Sequence, residues 1–566
     1  MTASLHRPAD PPPVSGKSLA SLHNRGTGRS TRLFLLLFLG TLVLTPLLIL
    51  AGASQGYAEV LATIAALIAL ALVPWKPILG LYLVVISAVA IEQEPLPATP
   101  IGTDHLNIFF WPVKLQGLPE RPIGFYILAI LLILIVAHLL LRKRLLLGGR
   151  LFYPFIFFLA CVAFGVLHGL ATGGTFRIIV LEIRPFWYMF LTYILAFNIV
   201  TDIKHVRNII WITVIGTAIK GVQGVFIVYE YLGGHIEGHN EIMAHEQSFF
   251  FVLVLLLLVM MLLHHFQRGL FIAILISLPC LLIALVANNR RADYVALLIG
   301  ILVAWTLTIL VKPMARRRLI PLLAICIVLG VGYVLAFQNK GGALGEPARA
   351  VISVFHPSAA DARDAASNAY RVIENYDLKY TAAQSPLLGY GFGKPFLQPV
   401  VLPNVVDLDP YYLYIPHNNI LWIWMRLGPL GFGALWYLIG AAIISGCLIA
   451  RRVKDPQLQF FAIFAIAMLV MEVILAYSDY QFFFYRNMIF VGMVLGVLFK
   501  LPAIARAAGK PTAEDADDND LTVNAEPIAP APRPRMRISR QAALPAPAPA
   551  ALHTASTSNA RKWRGT

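Results

Sequence analysis

Run after run of about 20 apolar residues, joined by short basic connections, leaves this chain few folds to adopt. The runs fall at approximately 33–52, 57–73, 76–92, 123–141, 151–170, 181–200, 208–231, 247–265, 269–287, 292–311, 319–337, 419–450, 457–477 and 485–499. Each can cross the hydrocarbon of a bilayer, where the backbone must satisfy its own hydrogen bonds and an α-helix does so within one segment. Of the 566 residues, 58% are hydrophobic and 13% charged, too little polar surface for a soluble domain. The expected fold is all-α: a polytopic integral membrane protein with about 12–14 transmembrane helices and one large loop.

The chain divides accordingly. Residues 1–32 form a polar N-terminus expected to be disordered. Residues 33–175 hold the N-terminal transmembrane helices, 176–337 the core helices, 338–416 the large loop and 417–500 the C-terminal helices. Residues 501–566 carry an acidic patch, Glu514 to Asp520, and then a Pro/Ala-rich stretch, a composition that predicts disorder. A short interfacial helix is expected around Thr175 to Val180, and a break in the twelfth run at Gly428-Pro429, where proline cannot continue the ladder.

The net charge of +16 does not signal nucleic acid. Lys76, Arg142 to Arg144, Arg150, Lys204, Arg207, Arg268, Lys312, Arg316 to Arg318, Arg451, Arg452, Lys454 and Lys500 fall in or beside alternate short connections, where such residues set orientation. Both termini are therefore expected in the cytoplasm, and the large loop on the opposite side of a bacterial inner membrane, the periplasm in a Gram-negative cell. Cys161, Cys280, Cys326 and Cys447 lie inside apolar runs without CxxC spacing, so neither disulfide nor metal is expected from them.

Against this apolar background a few polar groups need a reason. The loop from Gln338 to Pro416, roughly 80 residues, is too long to be a mere connection. It carries Arg371 and a turn with Gly389, Gly391 and Gly393, expected to need positive φ. The turn is not a nucleotide fingerprint, since no strand–turn–helix frame surrounds it. His417 opens the next helix. A neutral imidazole there can take a proton from an attacking hydroxyl; capping that helix with Asn418 is the plainer alternative. Arg184, Arg290, Arg291 and Arg371 share the side that should be poor in positive charge, and guanidinium forks bind phosphate oxygens bidentately. Interfacial anchoring, or for Arg290 and Arg291 a pairing with Asp293, is the competing explanation. Lys220 lies mid-span, where an ionisable group costs about 3 kcal/mol or more and faces a cavity or a partner. A histidine and glutamate cluster, His235, Glu237, His239, Glu241, His245 and Glu246, fits no standard metal spacing.

Five stretches, in order, resemble the O-antigen ligase and exopolysaccharide polymerase family of bacterial membrane glycosyltransferases. They are Leu181-Glu182-Ile183-Arg184-Pro185-Phe186-Trp187, Ala287-Asn288-Asn289-Arg290-Arg291-Ala292, Asn368-Ala369-Tyr370-Arg371, Pro386-Leu387-Leu388-Gly389-Tyr390-Gly391-Phe392-Gly393, and His417-Asn418-Asn419-Ile420-Leu421 followed by Gly428-Pro429-Leu430-Gly431. The likeness covers roughly Arg177 to Ala450. The chain departs from the family at the doubled Arg290-Arg291, where glycine is usual in the second place.

The resemblance implies a GT-C-like fold and an inverting, metal-independent glycosyl transfer on the periplasmic face, with no cofactor. The donor would be a glycan on undecaprenyl pyrophosphate, and the acceptor a glycan or the lipid A core of lipopolysaccharide. The arginines would bind donor, and His417 would be the base; Lys220, from its mid-span position rather than from the resemblance, is a further candidate for substrate binding. Ligation and polymerisation remain equally open. A rival of another class is a secondary transporter with Lys220 and Glu472 as intramembrane coupling groups, although paired interrupted helices in two related halves are not apparent.

Overall fold

The computed structural model describes Val73 and residues 76–92, 134–141, 145–235, 241–264, 267–312, 316–340, 345–355, 362–405 and 410–509, all within one compact unit. The runs expected at 33–52 and 57–73, most of that at 123–141, the N-terminus 1–32 and the tail beyond 509 lie outside these residues. So do Glu237 and His239 of the histidine cluster.

Thirteen α-helices have defined bounds: α1 Pro77–Ala90, α2 Phe152–Ala171, α3 Phe176–Ile199, α4 Ile203–Glu230, α5 His245–His264, α6 Arg268–Ala287, α7 Arg291–Val311, α8 Arg316–Phe337, α9 Glu346–Phe355, α10 Ala362–Gln384, α11 Asn419–Arg452, α12 Pro456–Ser478 and α13 Tyr485–Ala507. Among the described residues, ten helices (α2 to α8 and α11 to α13) are long and apolar enough to cross a membrane. The protein is an all-α polytopic membrane protein.

Local chemistry sets the helix starts. Asp202 accepts from the Lys204 amide at 2.8 Å and Asp455 from the Gln457 and Leu458 amides, each side chain answering N–H groups that the first turn leaves unpaired. Two boundaries differ from the sequence reading. The segment from Thr175 to Val180 is not a separate interfacial helix but the first turns of α3, which runs on through Pro185. The last span does not stop near 499; α13 continues to Ala507. The large loop holds α9 and α10.

The innermost helices are α12 and α13, while α8 turns almost all of its apolar surface outward. The most extensive helix contact joins α3 to α13. Gly492 and Gly496, four apart, lie directly on the α3 backbone at Met189 and Tyr193, where any side chain would collide. Small residues at this spacing let membrane helices approach closely, so that dispersion contacts replace the missing hydrophobic drive.

In α11 the break falls where the sequence placed it. Gly428 has φ 66° and ψ −172°, and Pro429 follows. Proline removes the N–H that would have bonded to Met425. The Tyr390 amide takes that role, reaching the Met425 carbonyl at 2.6 Å, and the Gly391 amide meets the Arg426 carbonyl at 3.0 Å. The glycine turn of the loop thus completes the backbone of a broken helix.

Candidate functional site

Gly389, Gly391 and Gly393 have φ of 76°, 79° and 84°. A Cβ on Gly391 would lie 2.7 Å from the Gly169 amide nitrogen, so the turn presses backbone to backbone on α2. Beneath it, Arg426 and Glu182 form an ion pair at 2.6 Å with both side chains fully buried. Glu182 also accepts from the Gly393 amide, and Arg426 donates to the Gly391 and Tyr414 carbonyls. Every oxygen and guanidinium contact here fastens the loop to α3 and α11. The hold of Arg426 on the Tyr414 carbonyl lies three residues before His417, where the loop meets α11.

His417 sits at that junction. The side chain that caps α11 is Asn418, whose Oδ1 accepts from the Leu421 amide at 3.0 Å, so the imidazole is not spent on capping. Instead, His417 Nδ1 lies 3.1 Å from Glu374 Oε1 of α10, and the His417 amide donates to Glu374 Oε2 at 3.1 Å. Tyr370 and Tyr480 stand edge-on to the ring at 5.7 and 5.3 Å between centroids. A quarter of the His417 side chain is accessible, enough for a small polar group to reach it.

One cavity lies beside this histidine, with about 480 Å³ of empty space partly open to solvent. Arg290, Arg291 and Arg371 line it, together with Ser367, Ser478, Asp293 and Asp479. The first two arginines come from the turn between α6 and α7, the third from α10. Nε of Arg290 and Nε of Arg371 are buried and make no hydrogen bond among the described residues. A buried donor without an acceptor is costly unless a ligand supplies one. Arg290 pairs with Glu241 at 2.5 Å, and Arg291 reaches Asn368 at 3.4 Å.

Asp479 joins the cavity to the histidine. Burial alone would raise its carboxyl, but His245, Arg290 and His417 outweigh that and hold it well below the usual carboxylate range. Glu241 is treated alike: burial raises it, and Arg290 and His245 bring it below its ordinary value. His245 bridges the two acids, 3.3 Å from each, and Tyr480 lies against both His245 and His417.

The sequence-predicted residues therefore separate into groups. Arg290, Arg291 and Arg371 come together, and His417 is close to them through Asp479 and Tyr480. Arg184 does not line this cavity; it is 7% exposed, with its guanidinium 4.1 Å over the Tyr485 ring. Lys220 is also elsewhere, fully buried and 3.0 Å from Glu92. Glu92 in turn bonds Arg486, which also binds Glu246, Gln247 and the Ala88 and Val89 carbonyls. Two cations thus meet two carboxylates inside the bundle. Glu374 and Asp479 were missed from sequence. Glu374 falls one helical turn after Arg371 and Asp479 ends an apolar run, and both signals are visible only once the helices are placed.

Residues 276–437, which include the arginine turn, α10, the glycine turn and His417, match the family profile described as O-Antigen ligase. The match is to the O-antigen ligase family. A stretch of 63 residues, 11% of the chain, is 40% identical to an O-antigen ligase of Salmonella typhimurium. The chain matches only 16% of that relative's length. The O-antigen ligase profile thus covers all the cavity-lining arginines and His417, while Asp479 lies beyond its C-terminal limit.

Proposed function

We propose that the protein is a membrane glycosyltransferase that moves a glycan from undecaprenyl pyrophosphate onto a sugar hydroxyl, in the manner of an O-antigen ligase or a polysaccharide polymerase. The observation that carries this is the convergence of Arg290, Arg291 and Arg371 on one cavity beside a partly accessible histidine.

In the proposed step, His417 Nε2 takes the proton of the acceptor hydroxyl as its oxygen attacks the anomeric carbon. The bond to the pyrophosphate oxygen breaks on the opposite face, and its electron pair leaves with the pyrophosphate. A single displacement of this kind inverts the anomeric centre. Charge grows on the leaving group, so guanidinium groups already fixed around it contribute most to the rate. The basic residues of the short connections lie at the opposite helix ends, which supports a site on the non-cytoplasmic face, with both termini in the cytoplasm.

Turnover of purified protein with an undecaprenyl-pyrophosphate-linked glycan tests the reading. His417→Ala should fold and bind donor while losing about 10²- to 10⁴-fold in rate. Near-normal turnover in that variant would overturn it.

A further inference from the structure

We propose that Glu374 is the positioning residue for His417: its carboxylate selects the ring tautomer that leaves Nε2 able to accept a proton. This deepens the reading above and rests on it.

Glu374 uses both oxygens on one residue. Oε1 faces His417 Nδ1 and Oε2 accepts from the His417 amide, each at 3.1 Å. The side chain of Glu374 is 1% exposed, so no water competes for those oxygens, and it rides on α10 two turns before Thr381, whose hydroxyl links α10 to the Leu397 amide. An ionised carboxylate only accepts. Nδ1 opposite it must therefore carry the ring proton, and the lone pair is left on Nε2. No hydrogen bond to Nε2 is present among the described residues. When Nε2 takes up a proton the imidazolium lies against the Glu374 carboxylate, which stabilises it through the transition state. Other groups also face the ring: Tyr370 of α10, and Tyr480 with Asp479 from the end of α12. Asp479 acts on the ring only through its charge and does not bond to either nitrogen, so the tautomer is set by Glu374 alone.

Glu374→Gln separates this role from mere anchoring. The His417 amide is an obligatory donor and will claim the new amide oxygen. The NH₂ group then faces Nδ1, which must become the acceptor, and Nε2 carries the proton. Shape and backbone contact survive, but the base is in the wrong tautomer.

The experiment measures kcat, KM for the lipid-linked donor and the pH–rate profile for Glu374→Gln, Glu374→Asp, His417→Ala and the Glu374→Gln/His417→Ala double variant. In Glu374→Gln, kcat should fall ~10- to 100-fold with KM within twofold, and the acidic limb of the profile should move to lower pH. Glu374→Asp should recover part of the rate, because it keeps the carboxylate. Glu374→Gln should cost nothing further in the His417→Ala background. Normal kcat with an unmoved profile, or additive loss in the double variant, overturns the proposal while leaving His417 as base. Normal turnover in His417→Ala overturns the parent reading instead. If Glu374→Gln does not fold, the ring nitrogens of His417 in the otherwise unaltered protein carry the test by nitrogen NMR: a protonated Nδ1 with a bare Nε2 supports the proposal, and a protonated Nε2 with a bare Nδ1 overturns it.

Discussion

Glu241 closes on Arg290 at 2.5 Å, a carboxylate held against a guanidinium that lines the cavity. Glu241 is 39% exposed and Arg290 only 15%, so the acid is the partner with room to move. Under the proposed function it competes with a donor phosphate oxygen for this guanidinium. Glu241→Gln should therefore lower KM for the donor, by about two- to fivefold since a partly exposed pair contributes little, with kcat unchanged. A raised KM would mean that Glu241 helps to hold the arginine in place instead.

Among the described residues Arg371 has no carboxylate bonded to it, and its Nε makes no hydrogen bond. Arg371→Lys keeps the charge and loses the fork. We expect at least a tenfold loss of kcat/KM with thermal stability within a degree or two. The parallel Arg290→Lys and Arg291→Lys variants, assayed with the same donor, will show which of the adjacent arginines carries the same role. Full activity in all three would remove the pyrophosphate assignment.

Asp479 and Glu241 both have carboxyls held below their ordinary values. Each is thus more readily ionised in the folded protein than in the unfolded chain. The stability they supply is fully present above roughly pH 4 and is lost as pH falls through the lower folded values. The melting temperature of the purified protein should therefore gain nothing from these two groups between pH 5 and 8, and fall below about pH 4. Asp479→Asn should flatten that acid limb. A limb unchanged in Asp479→Asn would assign it to other carboxyls.

Lys220 and Glu92 are both wholly buried. Lys220→Met leaves Glu92, among the described residues, with Arg486 as its cation, so the variant should be less stable by about 3 kcal/mol, as when one partner of a buried pair is removed. The protein that does fold should turn over donor at a near-normal rate. Selective loss of donor binding with unchanged stability would place Lys220 in the substrate path.

Gly391→Ala puts a side chain at φ 79° and against the Gly169 backbone. Left-handed backbone alone costs about 1–2 kcal/mol, and neither backbone can move aside. Reduced yield of folded protein is expected, without a selective effect on KM. A normal melting temperature would contradict it.

Much of this was legible in one dimension because membrane helices announce themselves by length and apolarity. Arg290, Arg291 and His417 also stood out, as polar groups at the ends of apolar runs, and Arg371 as a cation of the large loop. What sequence could not supply was partnership. Lys220 and Arg184 look alike on paper, cations inside apolar segments, yet Lys220 is matched by Glu92, just past the end of α1 and more than 100 residues away. Arg184 lies over Tyr485, some 300 residues on. Glu374 is one of several acids on α10, and only the fold shows that its oxygens meet His417. The start of α3 was misplaced for another reason. Thr175 to Val180 reads as a separate polar-edged piece, but packing carries the helix straight through Pro185.

The two amides that Tyr390 and Gly391 lend to the carbonyls of Met425 and Arg426 bear on how this protein could be recombined with its relatives. A chimera that exchanged the large loop at its obvious ends would put those carbonyls at the mercy of a foreign turn, and one that exchanged α11 alone would do the same to the amides. The smallest transplantable piece is therefore the stretch from Ser385 through Pro429. Specificity for a new acceptor, if it resides in the loop, will have to travel with the first three turns of the helix that follows.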